Sequence, residues 1–392
     1  MYNFLSFLNI IIGVCCGRLV ASDRIQTTRQ YWMIMFFPIL VFTITYGLRY
    51  GWLIDFNLYE ESYRTILYNE TIQKGWLFDL LLRICKSFDW PFNVVVTITD
   101  AIIIISYCAF IKPYKEYAYW ILPVFYFLSF MCSNFIAFYP ALSLFLLAIG
   151  KHLQLDDKFD IWHPIQSGLI YPILLLILAF GFHQAVVAGL LLYLIVLVVN
   201  IKPSVAIVIY VISFFFVQDW WMSLLKSLSL YASLFGGSVF SSYFDNYVTR
   251  ADTFFNNEGT QMKEFGGSLF YIIRTIIANV FAFVLYYKYR VENNIDNSKN
   301  KILELAFVGL VFSNIAGGVP VFSRFGIPFE LVLPVFYAFA INYAFRSNEL
   351  KNELMAWYII IIQGYFYFIT MYLRDTTHFY YIWDSVKQNI YY

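Results

Sequence analysis

Charged residues are scarce in this chain of 392 residues: Asp, Glu, Lys and Arg together make up 13% of it. A typical soluble domain carries about 25%, and no hydrophilic block here is long enough to fold as a separate soluble domain. Hydrophobic residues make up 61% of the chain, and the formal net charge of +1 argues against a general nucleic-acid-binding protein. The chain therefore acts in a bilayer or at its surface.

Paired cysteines and the motifs of soluble enzymes are also missing. None of the five cysteines belongs to a CxxC pair, so neither a disulfide framework nor a zinc site is expected. The chain has no GxGxxG, P-loop, HExxH or GxSxG motif, and no DxD motif in a loop beside a nucleotide-binding domain. These absences argue against a soluble nucleotide-sugar enzyme, and any glycosyl donor is expected to be lipid-borne.

Apolar stretches of about the length of a membrane span fill most of the chain. A spanning α-helix needs about 20 mainly apolar residues, and the pattern predicts an all-α, polytopic integral membrane bundle of about twelve spans, forming one domain over residues 1–392. The stretch 166–200 contains no Asp, Glu, Lys or Arg and is too long for one span, so we predict a break at Gly181–Gln184. The predicted spans lie near 2–21, 31–48, 91–112, 118–133, 135–150, 166–181, 184–200, 203–222, 267–287, 303–319, 328–345 and 354–373.

Lysine and arginine residues occupy alternate connections between these stretches. Because positive charge favours short cytoplasmic loops, we assign those connections to the cytoplasm and both termini to the outside. The outer face then holds the two longest connections, 49–90 and 223–266, and short turns at His183 and Arg324. The positively charged connections contain Arg24, Arg29, Lys112, Lys115, Lys151, Lys158, Lys202, Lys288, Arg290, Lys299, Lys301, Arg346 and Lys351.

The outer connection 49–90 contains an amphipathic stretch from Gly75 to Trp90. Asp79, Arg83 and Lys86 recur at helical spacing and share one face, while large apolar residues cover the remainder. The stretch is too short and too charged to cross a membrane. It predicts a helix that lies in the membrane interface and acts as an anchor.

Three charged residues carry the cost of a position inside a predicted span most plainly: Asp100, Arg274 and Glu330. A charge at the centre of a spanning helix costs about 2.5–3.5 kcal/mol on insertion scales, so each of them requires a compensating interaction. One interpretation is a polar functional cavity. The other is a structural ion pair inside the bundle, for which Asp100 and Arg274 are the candidates.

A second set of residues faces outward at span ends and includes Arg49, Arg250 and Arg324, with Asp55 and Tyr59 following Arg49 closely. A guanidinium group presents a planar fork that matches phosphate oxygens. Several arginines that converge outside would therefore hold a pyrophosphate at the interface. The alternative is that each arginine simply extends its charged end to the membrane surface.

Four short stretches on the predicted outer face follow one another in a recognisable order. They are Gly47-Leu48-Arg49-Tyr50-Gly51 with Asp55-Phe56-Asn57-Leu58-Tyr59, then Gly75-Trp76-Leu77-Phe78, then Phe182-His183-Gln184-Ala185, and finally Ser323-Arg324-Phe325. Their order and spacing resemble the EpsG family of bacterial exopolysaccharide proteins, which belongs with the Wzy-type polysaccharide polymerases. In one departure, Asn134 begins a stretch without arginine, where the family often has Asn-x-x-Arg-Gln.

The resemblance implies a GT-C-like membrane glycosyltransferase at the outer face of the bacterial inner membrane. Such a polymerase transfers a growing exopolysaccharide, O-antigen or capsule chain from an undecaprenyl-diphosphate carrier to a new lipid-linked repeat unit. No metal or other cofactor is required in this scheme. The expected partners are the undecaprenyl-diphosphate-linked oligosaccharide, the lipid bilayer, a chain-length regulator and a flippase, with no nucleic acid.

The outer-face residues receive hypothetical roles in that reaction. Arg49 and Arg324, with Arg250 as a third candidate, would stabilise the negative charge that develops on the leaving diphosphate. His183 is the first candidate for the base that accepts the proton of the acceptor hydroxyl, because an imidazole accepts protons near neutral pH. Asp55 is the second candidate for the base, and Tyr59 is a candidate substrate-binding residue. The alternative for His183 is a turn residue whose imidazole satisfies exposed backbone groups.

Other functions remain compatible with a cationic membrane bundle. A lipid-linked oligosaccharide flippase or another transporter would also need one, although the halves 1–200 and 201–392 lack the internal repeat that transporters often have. An O-antigen ligase would share the donor and differ only in its acceptor. A membrane acyltransferase and a non-catalytic assembly scaffold are further alternatives.

Overall fold

The computed structural model of the chain describes ten stretches of residues, and the statements below concern these stretches. They are 1–51, 53–68, 75–128, 134–155, 168–198, 201–214, 269–293, 297–316, 326–368 and 380–383.

The described residues fold almost entirely into α-helices, as the sequence predicts. Each of the twelve predicted apolar stretches overlaps a helix, and two further helices, α3 and α4, lie in the predicted outer connection. The elements are α1 (Tyr2–Ala21), α2 (Thr28–Gly47), β1 (Arg49–Tyr50), α3 (Leu53–Thr65), α4 (Trp76–Ser87), α5 (Phe92–Ile111), α6 (Ala118–Leu128), α7 (Phe138–His152), α8 (Ile170–Phe182), α9 (Val186–Val198), α10 (Pro203–Ser213), α11 (Leu269–Asn293), α12 (Asn297–Ala316), α13 (Leu333–Arg346), α14 (Leu350–Phe368) and β2 (Tyr380–Tyr381).

Four helical segments among the described residues are long and apolar enough to cross a membrane: Tyr2–Ala21, Thr28–Gly47, Phe92–Leu128 and Gly326–Arg346. The segment Phe92–Leu128 comprises α5, α6 and the short 3₁₀ helix between them. Shorter apolar helices, which include α8 and α9, accompany them. The chain is therefore an all-α integral membrane protein, and the total of twelve spans stays a prediction.

The connections that the sequence assigns to one side do lie at one end of the bundle. Lys112 Nζ donates to Thr28 Oγ1 at 2.8 Å, which joins the α5–α6 connection to the start of α2. Lys288 Nζ lies 3.0 Å from Glu349 Oε2, which joins the end of α11 to the start of α14. Lys301 Nζ donates to the Val196 carbonyl oxygen at 2.8 Å. We call this the basic end and the opposite one the distal end.

The predicted break after α8 is confirmed. Helix α8 ends at Phe182, His183 has an extended backbone (φ −157°, ψ 123°), and α9 begins at Val186. The amide of His183 donates to the Ala179 carbonyl oxygen at 3.1 Å, which closes the last turn of α8. The chain therefore reverses direction within a few residues at the distal end.

Helix α4 is also present where the sequence predicts it, and the structure identifies the face that it buries. Asp79 is buried, and Arg83 and Lys86 are half-buried, so the charged face is turned towards the protein. The exposed face is a row of large apolar side chains four residues apart, namely Trp76, Leu80, Ile84 and Phe88. Such a row suits contact with the acyl boundary of a bilayer, whereas a solvated loop helix would expose its charges instead.

Candidate active site

A buried ion pair between Arg49 and Asp100 joins the end of α2 to α5. Arg49 Nη1 lies 2.5 Å from Asp100 Oδ2, and the two side chains are 0% and 1% exposed. The same Nη1 donates to the Tyr46 carbonyl oxygen. Each charge compensates the other in surroundings where a lone charge would be costly. The pair therefore explains how both groups are tolerated in the apolar bundle.

This pairing corrects the predicted partnership of Asp100 with Arg274. The Arg274 guanidinium instead lies over the Tyr365 ring, with Cζ 5.1 Å from the ring centroid. A cation over an aromatic face is stabilised by the ring quadrupole. Helix packing explains the difference, because α5 packs against α2, whereas α11 packs against α13 and α14.

The backbone around Arg49 is fixed by close contact with the first turns of α5. A Cβ on Gly47 would lie 2.8 Å from the Thr97 Cα, so α5 can approach α2 this closely only because residue 47 is glycine. Thr97 Oγ1 donates to the Gly47 carbonyl oxygen at 3.1 Å, and Asn93 Nδ2 donates to the Arg49 carbonyl oxygen. These bonds satisfy carbonyl groups that a helix end leaves open.

One edge of the Arg49 guanidinium has no acceptor among the described residues. Its Nε and Nη2 are both buried and unpaired there, as is Asp100 Oδ1. Leaving a buried donor unsatisfied costs about 1–3 kcal/mol. The two hydrogens along this edge match two oxygens of a phosphate group. The Nε–Nη2 edge is therefore the part of Arg49 suited to an anionic ligand.

Strand β2, near the C-terminus, lies beside this position. It pairs antiparallel with β1, so that Arg49 lies opposite Tyr381, and the Ile382 amide donates to the Leu48 carbonyl oxygen at 3.1 Å. The Tyr381 side chain is fully buried and stacks on Trp383, with ring centroids 4.8 Å apart. The strand therefore fixes the backbone of Arg49 from the side of β1.

Helix α3 places Asp55 and Tyr59 in the same distal layer. The Asp55 backbone amide donates to Asn134 Oδ1 at 3.4 Å, which connects the start of α3 to the chain just before α7. The Asp55 carboxylate belongs to the first turn of α3, where the helix dipole favours negative charge. Tyr59 is 8% exposed and packs edge-on against Phe78 of α4, with centroids 5.4 Å apart.

His183 uses one of its ring nitrogens within its own turn. Its Nδ1 accepts a hydrogen bond from the Ala185 amide at 3.2 Å, which satisfies a backbone donor at the start of α9. Its ring also packs against Phe138 at a centroid distance of 5.0 Å. In a neutral ring with Nδ1 as acceptor, the proton resides on Nε2. Nε2 is then the hydrogen-bond donor of the ring.

A close contact between two glycines holds α4 beside the His183 turn. A Cβ on Gly75 would collide with the Gly181 carbonyl oxygen and would come within 2.7 Å of the Phe182 carbonyl group. A Cβ on Gly181 would lie 2.9 Å from the Leu77 Cβ. Contacts through Asn134, Phe138 and Gly75 thus bring α3, α4, α7 and the His183 turn into one distal layer.

Of the residues predicted for the site, Arg49, Asp55, Tyr59 and His183 all lie at the distal end. Arg250 and Arg324 lie outside the described residues, so their convergence with Arg49 stays a prediction. Sequence reasoning missed Asp100 as the partner of Arg49, since no local pattern relates residues 51 positions apart. The sequence also carries no signal for the contacts that Asn93 and Tyr381 make with the backbone of Arg49.

The fold and this distal layer define a polytopic membrane protein with a buried guanidinium at one end of the bundle. The sequence model of the EpsG family matches residues 32–383, so the chain belongs to the EpsG family. This family is associated with polysaccharide polymerase-type activity, which acts on lipid-linked substrates in a membrane. Comparisons with curated proteins and with solved structures gave no match.

Proposed function

We propose that this protein polymerises lipid-linked repeat units of a bacterial surface polysaccharide. The glycan chain leaves one undecaprenyl-diphosphate carrier and joins the repeat unit on another, at the outer face of the inner membrane. The observation that carries this proposal is the buried Arg49, whose Nε–Nη2 edge has no acceptor among the described residues of an EpsG family chain. A diphosphate would supply the missing acceptor.

Arg49 would act at the bond that breaks. When the anomeric carbon separates from the carrier, negative charge builds up on the diphosphate oxygen. Donors that are already oriented towards that oxygen stabilise the transition state more than the ground state. Asp100 and the Tyr46 carbonyl hold Nη1 and thereby fix the plane of the guanidinium. Asp100 is therefore a positioning residue for Arg49.

Charge balance gives the other arginines their role. Asp100 already neutralises Arg49, so the pair offers two hydrogen bonds but no net positive charge to a diphosphate. Additional cations are needed to balance the leaving group, and Arg324 and Arg250 are the proposed ones. The guanidinium groups can do this without a metal ion.

The polar groups of the distal layer would contact the sugars. His183, with its proton on Nε2, is proposed to donate a hydrogen bond to the substrate. Asp55 and Tyr59 are proposed to contact sugar hydroxyls, with Asp55 as one candidate acceptor for the proton of the attacking hydroxyl. A ligase would use the same donor groups and a different acceptor, and a flippase would move the lipid without breaking its glycosidic bond.

The test uses the purified protein in nanodiscs with a synthetic polyprenyl-diphosphate repeat unit. Wild-type protein is expected to produce a ladder of glycan lengths on a gel. R49A should reduce the rate of ladder formation by about 10²–10³-fold, and R49K should fall well below wild type because an ammonium group lacks the planar fork. Arg64→Ala is the matched control, since Arg64 lies on α3 with its side chain 59% exposed. An undiminished ladder from R49A would contradict the proposal.

A further inference from the structure

Glu330 lies at an interruption in an apolar helix of the second half of the chain. Residues 326–330 are helical, Leu331 and Val332 form a turn, and α13 begins at Leu333. The whole segment Gly326–Arg346 is apolar enough to cross a membrane. Interrupted membrane helices commonly place polar groups at binding sites. The carboxylate of Glu330 therefore lies directly before a turn between two helical segments.

Two glycines bring α12 into direct contact with this interruption. A Cβ on Gly309 would lie 2.7 Å from the Phe329 Cβ, and a Cβ on Gly326 would lie 2.8 Å from Ser313 Oγ. Each glycine precedes a polar residue by four positions, Ser313 on one helix and Glu330 on the other. Glycines at the contact let membrane helices approach closely. The approach allows Ser313 Oγ to donate to Glu330 Oε1 at 2.5 Å.

The second carboxylate oxygen of Glu330 is open. Unlike Asp100 Oδ1, Glu330 Oε2 does not belong to the buried, unpaired oxygens, and Glu330 itself is only partly buried. The ion pairs among the described residues do not include Glu330. One oxygen of the carboxylate is thus held by Ser313, and the other has no hydrogen-bond or ion-pair partner among the described residues.

The neighbours of Glu330 place it below the His183 turn. Pro328 Cγ lies 3.3 Å from the position of a Cβ on Gly189, which is six residues beyond His183. Phe329 packs against Phe145 of α7. Phe138, on the same helix, packs against His183. Seven residues of helix separate these two phenylalanines of α7, which is roughly 10 Å of depth. Phe329 therefore meets α7 near its midpoint, and Glu330 lies next to that contact, on the side of the bundle that carries His183.

Hydroxyl and amide groups of α10 to α13 form hydrogen bonds with one another inside the bundle. Asn314 Nδ2 donates to Ser213 Oγ at 2.8 Å. Asn279 Nδ2 donates to Tyr210 Oη at 2.6 Å, and Asn279 Oδ1 accepts from Tyr337 Oη at 2.5 Å. Such hydrogen bonds between helices hold the helices of a membrane bundle together.

We propose that Glu330 is the general base of the polymerisation, accepting the proton of the acceptor sugar hydroxyl at Oε2. This assignment rests on the proposed polymerase function. The acceptor oxygen forms a bond to the anomeric carbon of the donor glycan, the bond from that carbon to the carrier diphosphate breaks, and the diphosphate leaves with the electron pair. The hydroxyl proton goes to Glu330 and then to water. Ser313 is a positioning residue that keeps Oε2 turned to the substrate.

The experiment measures kcat, KM for the lipid-linked substrate and the pH profile of polymerisation in nanodiscs. E330Q keeps the shape of the side chain but cannot accept a proton, so kcat should fall by about 10²-fold or more while KM changes little. The acidic limb of the wild-type pH profile should disappear in E330Q. E330D should retain part of the activity, because it keeps a carboxylate with a shorter reach. Glu353→Gln on α14 is the matched control at the basic end.

Ser313→Ala supplies the second readout. Loss of its hydrogen bond leaves the carboxylate less well stabilised, so the acidic limb should move to higher pH with a smaller loss of kcat. If wild-type protein forms polymer and E330Q is within threefold of its activity, the assignment of Glu330 is overturned and the polymerase function stands. D55N would then test Asp55 as the base. Absence of polymer from wild-type protein would overturn both.

Discussion

Removing one partner of the Arg49–Asp100 pair should destabilise the protein far more than removing both. R49A leaves the Asp100 carboxylate in α5 without its partner, and D100A leaves a guanidinium that is 0% exposed. Stranding one charge of a buried pair costs about 3–5 kcal/mol. The Coulomb estimate agrees, since two unit charges about 4 Å apart attract by ~4 kcal/mol at an effective dielectric constant of about 20. The doubly apolar variant R49M/D100L should lie near wild-type stability, because it strands neither charge.

A double-mutant cycle measures this coupling. The free energy of unfolding is determined for wild type, R49A, D100A and the double alanine variant in mixed micelles where unfolding is reversible. The coupling energy should be about 3 kcal/mol and should hardly change between low and high salt, because ions screen a buried pair poorly. Single losses below about 1 kcal/mol, the range of exposed pairs, would refute the buried ion pair.

The same variants separate folding from chemistry. R49M/D100L should be folded, monodisperse and unable to form the glycan ladder, because it restores packing without restoring the Nε–Nη2 edge. A polymerising R49M/D100L variant would show that Arg49 serves only the stability of the bundle. A folded, inactive variant is the result that the proposed function requires.

Three further predictions concern the distal layer and the orientation. Gly75→Ala should lower the free energy of unfolding by about 1–3 kcal/mol, because the added Cβ overpacks against the end of α8. The control Gly364→Ala should not lower it, because an added Cβ there meets nothing within 4 Å. Equal unfolding free energies for the two variants would contradict the contact. In intact cells a membrane-impermeant maleimide should label S87C, and it should label K351C only after permeabilisation; the reverse pattern would invert the orientation. Burial raises the pKa of Tyr63 from 10.0 to about 12. The folded state therefore keeps the phenol proton up to a higher pH than the unfolded state does. The free energy of unfolding of wild type relative to Y63F should be constant below pH 10 and should fall as the pH rises from about 10 to 12. A pH-independent difference in unfolding free energy would contradict that environment.

Helix positions were predictable because the signal for them is local. Each apolar stretch long enough for a helix formed one, and the break at His183 followed from length, since residues 166–200 exceed the thickness of a hydrocarbon core as one helix. The distribution of Lys and Arg likewise predicted which connections share an end, as the contact of Lys112 with Thr28 illustrates. Neither inference required knowledge of which helices adjoin.

Pairing was not predictable for the opposite reason. Periodicity placed Asp79, Arg83 and Lys86 on one face of α4, but it could not tell that this face turns towards the protein. Charge alone suggested an ion pair between Asp100 and Arg274. In the structure α5 packs against α2, and Asp100 pairs with Arg49 instead. Long-range contacts depend on the summed packing of the bundle, and a single sequence does not encode that sum in any local pattern.

Asp100 and Glu330 show two different solutions to the same energetic problem, and the difference predicts opposite effects of amide substitution. Asp100 is sealed and paired with a cation, so D100N leaves a buried guanidinium unneutralised and should lower the free energy of unfolding by several kcal/mol. Glu330 has a hydroxyl partner and an open oxygen, so E330Q strands no charge among the described residues and should leave stability unchanged or higher. Groups that are kept for chemistry often trade stability for activity. The test is to measure the unfolding free energies of the two variants together with their polymerisation rates. A destabilised E330Q would mean that the carboxylate serves the packing of α12 against the interrupted helix rather than the transfer of a proton.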